Sequence, residues 1–190
     1  MKDSIFKSIR DKFSEMFGSA KNAQPESSEL QSLRRVINEL DHLPPEQAHY
    51  YAVYAQILYR IAYADSKITT VETNKIEEIL QEWGHLSAEQ AVLVAELARN
   101  QHRLFGGAEN FSVSREFRDV ATPEQKHDLL HSLFEVASAD DSIMSAENDT
   151  IRMIANEIGL NHEEFILIRQ DYLDKLEALR SVLKSKKSNI

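Results

Sequence analysis

Apolar residues recur three and four positions apart through most of the chain, and this spacing is typical of amphipathic α-helices. Residues 50–64 are apolar almost all round, which indicates a central and mostly buried helix. Pro45 suits the first turn of this helix, which is predicted to run from there to about Ala64. Further stripes and their capping residues predict helices at about 30–40, 70–83, 87–105, 112–120, 122–136 and 161–183. The pattern therefore predicts an all-α fold, a compact helical bundle.

The last of these helices is expected to be long. Asn161 and Glu164 cap its start, and its apolar positions continue through Phe165, Ile168, Tyr172, Leu176, Leu179 and Leu183. Spacings of three and four over this length would form a seam that extends beyond the bundle. The sequence thus predicts a C-terminal helix through which two copies of the chain could associate.

One stretch of the chain occurs twice, at a fixed offset of 75 residues. Residues 60–84 read RIAYADSKITTVETNKIEEILQEWG, and residues 135–159 read EVASADDSIMSAENDTIRMIANEIG. Both contain the skeleton A-x-A-D-x-x-I-x-x-x-E-x-x-x-I-x-x-I, closed by E-x-G. An internal repeat fixes the architecture, so we expect two pseudo-symmetric halves, at about 45–105 and 122–183, within one domain over 29–190.

The N-terminal residues 1–17 form a separate predicted helix. Their apolar residues follow one narrow stripe, formed by Ile5, Phe6, Ile9, Phe13, Met16 and Phe17. Residues 1–24 carry a net charge of +2, whereas the rest of the chain carries −11. A basic amphipathic helix of this kind can dock on an anionic membrane surface. The alternatives are that it docks on the core of its own chain or on a partner protein. Residues 18–28 are polar and are expected to be a flexible linker.

The repeated acidic motif has two interpretations. Asp65 and Asp140 follow the end of a helix, where a carboxylate is unfavourable unless it accepts N–H groups from the next turn. Glu72 would then form a capping box with Thr69, whereas in the second copy Met144 has no hydroxyl for this role. The alternative is a divalent-cation site that uses Asp65, Glu72, Asp140 and Glu147. The motif is not an EF-hand, because the earlier ligand positions carry no carboxylates.

A weaker motif is formed by His127 and His131, four residues apart on one helical face. This spacing occurs in zinc peptidases, but Asp128 stands where the catalytic glutamate would be, and no third ligand is evident. A zinc-dependent hydrolase is therefore kept as a minor alternative. No complete catalytic set stands out elsewhere, so the chain is predicted not to be an enzyme.

Composition narrows the classes of function further. A net charge of −9 and a pI of about 5.3 disfavour nucleic-acid binding, which requires clustered Lys and Arg. The chain has no cysteine, so disulfides and thiolate metal sites are excluded. It also contains no apolar run of about 18 residues, the length that spans a membrane. We therefore expect a cytoplasmic protein, with the helix over 1–17 able to place it at the inner membrane face.

The paired A-D-x-x-I-x-x-x-E blocks resemble the TerB-like family, which includes the N-terminal region of the DjlA co-chaperone. The likeness is strongest over Ala139 to Tyr172 and extends over about Leu30 to Tyr172. It implies a compact helical bundle with a non-enzymatic role in stress or tellurite resistance, as a partner of membrane proteins in some members. The family's suspected metal site would correspond to Asp65 and Glu72, and to Asp140 and Glu147. The family often has glycine after the Asp, where this chain has Ser66 and Asp141.

These observations predict a non-enzymatic interaction module associated with stress or tellurite resistance and acting at the cytoplasmic membrane face. Its expected partner is a protein, which could itself be membrane-associated, and no nucleic acid is expected. The alternatives are a divalent-cation-binding regulatory domain and, less favoured, the zinc hydrolase.

Overall fold

The computed structural model describes residues 44–64, 68–105 and 110–179. In these residues the chain folds into helices without a β-strand. They are α1 (Pro45–Ala62), α2 (Thr70–Glu82), α3 (Ala88–Phe105), α4 (Asn110–Val120), α5 (Pro123–Ala137), α6 (Ser145–Glu157), α7 (His162–Arg169) and a 3₁₀ turn (Gln170–Tyr172). The predicted all-α bundle is confirmed.

Helix α1 lies at the centre of the bundle, as its apolar composition predicted. Val53, Leu58 and Tyr59 are completely buried, and α1 contacts α2, α3, α4, α5 and α6. A helix that is apolar on all sides must be surrounded, because every exposed face would leave apolar surface in water. The helices on either side of it consequently share one continuous hydrophobic core.

Two helix pairs have bounds that follow the sequence repeat. α2 and α6 each contain 13 residues and start 75 positions apart, and α1 and α5 end at the aligned residues Ala62 and Ala137. The aligned isoleucines of α2 and α6 are completely buried, namely Ile76, Ile79, Ile151 and Ile154. The equal spacing is a property of the helix bounds; a pseudo-twofold relation between the halves stays a prediction.

The predicted helix starts agree with the capping geometry. Thr69, Thr122 and Asn161 each accept backbone N–H groups with their side chains, and Ser87 exchanges hydrogen bonds with Gln90. Pro45 occupies the first turn of α1, where its missing N–H is not needed. Only α4 starts earlier than expected, at Asn110 rather than Ser112.

Both E-x-G sequences end a helix, but they do so differently. Gly159 adopts a φ of 88°, which side-chain-bearing residues rarely adopt. At Gly84 the constraint is space, since an added Cβ would lie 2.4 Å from the carbonyl oxygen of Leu80. The left-handed residue there is the next one, His85, with a φ of 52°.

The prediction of one long C-terminal helix is wrong. α7 ends at Arg169, and after the 3₁₀ turn the chain bends back so that Leu176 forms a parallel bridge with Ile143. The Ile143 N–H donates to the Lys175 carbonyl at 2.8 Å, and the Glu177 N–H donates to the Ile143 carbonyl at 3.0 Å. Leu176 is only 2% exposed, so burial of this side chain favours the bend over a projecting seam.

Several predicted segments lie outside the described residues. They are the amphipathic helix 1–17, the linker 18–28, the predicted helix at 30–40 and the chain beyond residue 179. No helix among the described residues combines the length and apolar character needed to cross a membrane.

Candidate functional site

The corner between α5 and α6 contains the second copy of the acidic motif. Asp140 is exposed, and its Oδ1 accepts the Ser142 N–H at 3.1 Å, which is the local turn expected for an aspartate here. Asp141 adopts a φ of 70°, and its Oδ1 accepts a hydrogen bond from Lys175 Nζ at 2.6 Å. A left-handed residue explains why a glycine would also fit this position, and aspartate is one of the few residues that tolerate it.

Glu147 lies in the first turn of α6 and is only 5% exposed. Its Oε2 accepts the Met144 N–H at 2.7 Å, which is one half of a capping box. The Met144 side chain has no oxygen to complete the other half. The Glu147 carboxylate therefore lies at the positive end of the α6 dipole, where negative charge is favoured.

The corner before α2 has the complete capping box. Glu72 is 7% exposed, and its Oε2 accepts both the N–H and the hydroxyl of Thr69, each at 2.7 Å. The Thr69 hydroxyl oxygen in turn accepts the Glu72 N–H at 3.2 Å. Asp65, the other predicted site residue of this corner, lies outside the described residues.

The proposed cation ligands therefore differ in environment. At the second corner Asp140 is exposed, whereas Glu147 is buried and oriented toward its own helix start. Across residues 44–64, 68–105 and 110–179, no three His, Asp or Glu side chains are grouped closely enough to hold a metal ion. Cation binding that involves Asp65 is untested, so the four-residue site stays a prediction.

The two histidines of α5 each contact the C-terminal part of the bundle. His127 Nε2 lies 3.0 Å from Glu164 Oε1, and His131 Nδ1 lies 3.3 Å from the Tyr172 hydroxyl. The Asn161 N–H and His127 hold the pKa of Glu164 below its usual range. Burial raises the pKa of Tyr172 to about 12, so its phenol stays protonated and can donate to the carbonyl of His131. His127 thus contacts α7 and His131 contacts the 3₁₀ turn, so both histidines link α5 to the C-terminal part of the bundle.

A buried ion pair was not anticipated from the sequence. Arg60 of α1 is 7% exposed and makes a two-pronged contact with Glu157 of α6, one prong of which measures 3.1 Å. Arg60 Nη1 also donates to the Ser114 hydroxyl of α4 at 3.2 Å. The sequence feature that could have indicated this ion pair is Arg60, because it is the one Lys, Arg, Asp or Glu residue between positions 47 and 64. A buried charge requires a partner, so an isolated arginine in an apolar helix predicts one.

The positive charge of Arg60 also affects a nearby pair of stacked rings, Tyr63 and His102. Tyr63 and His102 lie with their ring centroids 4.2 Å apart and nearly parallel. Burial lowers the pKa of His102, and the nearby Arg60 guanidinium lowers it further. His102 is therefore neutral at pH 7 and packs as an aromatic ring rather than as a cation.

A second candidate site is a groove of about 890 Å³ at the start of α1. It lies between the first turns of α1, the ends of α2 and α4, and the start of α5. Tyr50, Tyr51 and Tyr54 form part of one wall, and Trp83 and Val120 complete the apolar surface. Trp83 is 49% exposed and Val120 is 39% exposed, so the groove is open in the described part of the chain.

The described acidic residues of the groove are Glu46, Asp119 and Asp128. Among the described residues that line it, no Lys or Arg is present. Burial raises the pKa of the Tyr50 phenol, and the negative charge of Asp128 raises it further. The groove therefore combines aromatic surface with negative charge, which suits a ligand with apolar and cationic groups.

The predicted docking residues of the N-terminal helix, from Ile5 to Phe17, lie outside the described residues, and their role stays a prediction.

Comparison with known proteins identifies a family. The family model described as tellurite resistance protein TerB matches residues 51–170, more than half of the 190 residues. No curated protein and no solved structure matches the chain. The matched region runs from α1 to the 3₁₀ turn and includes both described corners. TerB is an all-helical, non-enzymatic domain family, in agreement with the observed bundle. The chain therefore belongs to the TerB family.

Proposed function

We propose that this TerB-family chain is a non-enzymatic interaction module that acts in stress or tellurite resistance at the cytoplasmic face of a membrane. In this proposal the helical body binds a protein partner, and residues 1–17 attach the body to an anionic membrane surface.

The non-enzymatic role is supported by the contacts of the candidate carboxylates and histidines, which are made within the protein itself. Glu72 and Glu147 accept N–H groups at helix starts, and the two α5 histidines contact Glu164 and Tyr172. Groups used in this way stabilise the bundle instead of facing a substrate. Exposed apolar side chains are present on other helices, including Phe111 at 56% and Leu167 at 67%, and such surfaces are typical of binding proteins.

The proposed membrane attachment is supported by the net charge of the N-terminal residues and by their apolar stripe. The stripe from Ile5 to Phe17 carries three phenylalanines, and the surrounding residues are net basic while the rest of the chain is acidic. A basic amphipathic helix is attracted to anionic lipid, and its apolar face enters the interface. An acidic body would be repelled by the same surface and would remain in the water phase.

Vesicle co-sedimentation of the full chain tests this attachment. Ile9→Asp and Phe13→Asp place a charge in the stripe, whereas Ser4→Asp and Ser14→Asp place the same charge outside it. We expect the stripe variants to lose about tenfold or more in affinity for anionic vesicles, because burial of one large apolar side chain is worth about 1.5–3 kcal/mol. The serine variants should lose much less. Equal losses in all four variants would rule out insertion of the stripe.

The protein partner is tested by a pull-down from membrane and soluble fractions. The full chain and the Phe13→Asp variant are used as baits, with Ser14→Asp as the matched control. A partner that depends on membrane attachment should be recovered by the full chain and Ser14→Asp but lost with Phe13→Asp. Recovery of the same proteins by all three baits would show that binding of the partner does not require attachment to the membrane.

A divalent-cation role is the competing proposal. It is favoured by the exposed carboxylates of Asp140 and Asp141 at the second corner, which water and ions can reach. Calorimetric titration with calcium, magnesium and zinc tests it, with Asp140→Asn as the matched variant. Binding heat that disappears in Asp140→Asn would support this role, and no heat above that control would end it.

A further inference from the structure

We propose that the groove at the start of α1 is the docking site of the chain's own residues 30–43. These residues contain the helix predicted at about 30–40 and end directly before Pro44. This inference concerns the organisation of the domain and does not depend on the proposed membrane or stress role.

The covalent connection favours this occupant. Pro44 lines the groove and precedes the first residue of α1, so Leu43 is one peptide bond away from the groove wall. Pro44 has an extended conformation, with φ −51° and ψ 134°, and therefore does not continue α1 backwards. Residues joined so closely to a surface are present there at an effective concentration in the millimolar range or above.

Both residues 30–43 and the groove have apolar surface. Residues 30–43 carry the stripe Leu30, Leu33, Val36, Ile37 and Leu40. This stripe requires an apolar partner, because a one-sided helix gains little stability in water without burial. The groove offers Trp83 and Val120, which are 49% and 39% exposed in the described part of the chain, together with the half-buried Tyr50.

Charge supports the same pairing. Arg34 borders the apolar stripe at helical spacing, and Glu46, Asp119 and Asp128 line the groove. A guanidinium at the edge of the groove can pair with these carboxylates and lie over an aromatic ring. Residues 30–43 carry no net charge, since Arg34 and Arg35 are balanced by Glu39 and Asp41, so the charge argument is local to Arg34. The predicted helix 1–17 has a net charge of +1, but 26 residues separate Phe17 from Pro44, so its attachment is far looser.

Trp83 provides a direct measurement, because it is the only tryptophan of the chain. In the full chain, docking of residues 30–43 would cover the indole. Leu33→Asp and Leu40→Asp place a charge in the stripe and should shift the Trp83 emission to longer wavelength and raise its quenching by acrylamide. Gln31→Asp and Asn38→Asp lie on the opposite face and should keep the wild-type spectrum and quenching.

Arg34→Glu gives an independent variant that preserves the apolar stripe. It should also raise the quenching of Trp83, because the reversed charge is repelled by the three acidic residues of the groove, and Gln31→Glu serves as its control. Far-UV circular dichroism establishes that each variant retains the helical content of the wild type.

The proposal is overturned if the stripe variants and Arg34→Glu all leave Trp83 as accessible as in the wild type. It is also overturned if Phe13→Asp, rather than Leu33→Asp, exposes Trp83, since the N-terminal helix would then be the occupant. Quenching that falls with rising protein concentration would instead assign the groove to a second copy of the chain.

Discussion

The corners before α2 and α6 each place a glutamate carboxylate beneath the first turn of a helix, but they secure it differently. At the first corner Thr69 supplies both an N–H and a hydroxyl to Glu72. At the second corner Met144 supplies only its N–H to Glu147, and the chain around residues 175–177 pairs with Ile143 next to it. The described hydrogen bonds of the first corner are local, whereas those of the second corner include a long-range pairing.

This difference shows which part of the motif the fold requires. Both carboxylates are buried and both accept the N–H of the residue three positions earlier. The hydroxyl at the cap position is present only once, so it adds stability but is not essential to the corner. The invariant element of the two corners is the buried glutamate at a helix start, where the helix dipole favours negative charge.

The largest effect is expected from Leu176→Ala, which removes the buried side chain that pairs with Ile143 beside the second corner. Leu176 is 2% exposed, and such substitutions lower the free energy of unfolding by about 2–5 kcal/mol. Urea denaturation of the full chain measures the loss. The control is Leu173→Ala at a side chain that is 38% exposed, which should change stability by much less. Equal losses in the two variants would mean that the return of the chain does not support the corner.

Removing the shared glutamate should be the next largest effect. Glu72→Ala and Glu147→Ala each leave a backbone donor without its carboxylate, and we expect a loss of about 1–3 kcal/mol in each. Glu72→Ala should cost at least as much as Glu147→Ala, because Thr69 loses two acceptor contacts. Glu163→Ala, in the exposed first turn of α7, is the control for charge at a helix start. A loss no greater than in this control would show that the buried carboxylates are dispensable.

Exchanging the cap residues should convert one corner into the other. Met144→Thr supplies the missing hydroxyl and should raise the free energy of unfolding by about 0.5–1 kcal/mol, while Thr69→Met should lower it by a similar amount. Thermal or urea denaturation of both variants measures the difference. Destabilisation by Met144→Thr would indicate that packing of the Met144 side chain outweighs the cap.

The smallest effect concerns Glu164, which forms a complete capping box with Asn161, as Glu72 does with Thr69, on a more exposed helix start. Its pKa is lowered by the Asn161 N–H and by His127, so its contribution is present above the unfolded pKa of about 4.3 and is lost as the pH falls through the lower folded pKa. Wild-type protein should therefore lose more stability between pH 6 and pH 3, values chosen to bracket that pKa, than Glu164→Gln does. Glu163→Gln, on the same turn, should behave like the wild type.

Much of the fold could be predicted because its determinants are local. The starts of α2, α3, α5 and α7 follow from Thr69, Ser87, Thr122 and Asn161, each of which bonds within its own first turn. The 13-residue helices α2 and α6 follow from their isoleucine stripes. Spacing along the chain is sufficient for such features, since the interacting groups are three or four residues apart.

Long-range contacts could not be predicted in the same way. The stripe from Phe165 to Leu176 fits a continuous helix as well as a bent chain, and only the burial of Leu176 against Ile143 favours the bend. Arg60 indicated a buried partner, but nothing in its neighbourhood identified Glu157, which is 97 residues away. The sequence identified the carboxylates of the candidate site but not which of them are buried, because burial also depends on long-range contacts. Burial of Glu147 and exposure of Asp140 depend on the packing of several helices.

The buried contact between Arg60 and Glu157 has a consequence for biosynthesis. The guanidinium emerges from the ribosome long before the carboxylate that pairs with it, since 97 residues separate the two. Leaving a charge buried and unpaired costs several kcal/mol, so α1 cannot settle into its final environment until α6 has been translated. The nascent chain must therefore hold the apolar helix α1 in an incomplete assembly until α6 is complete, over about half of its synthesis.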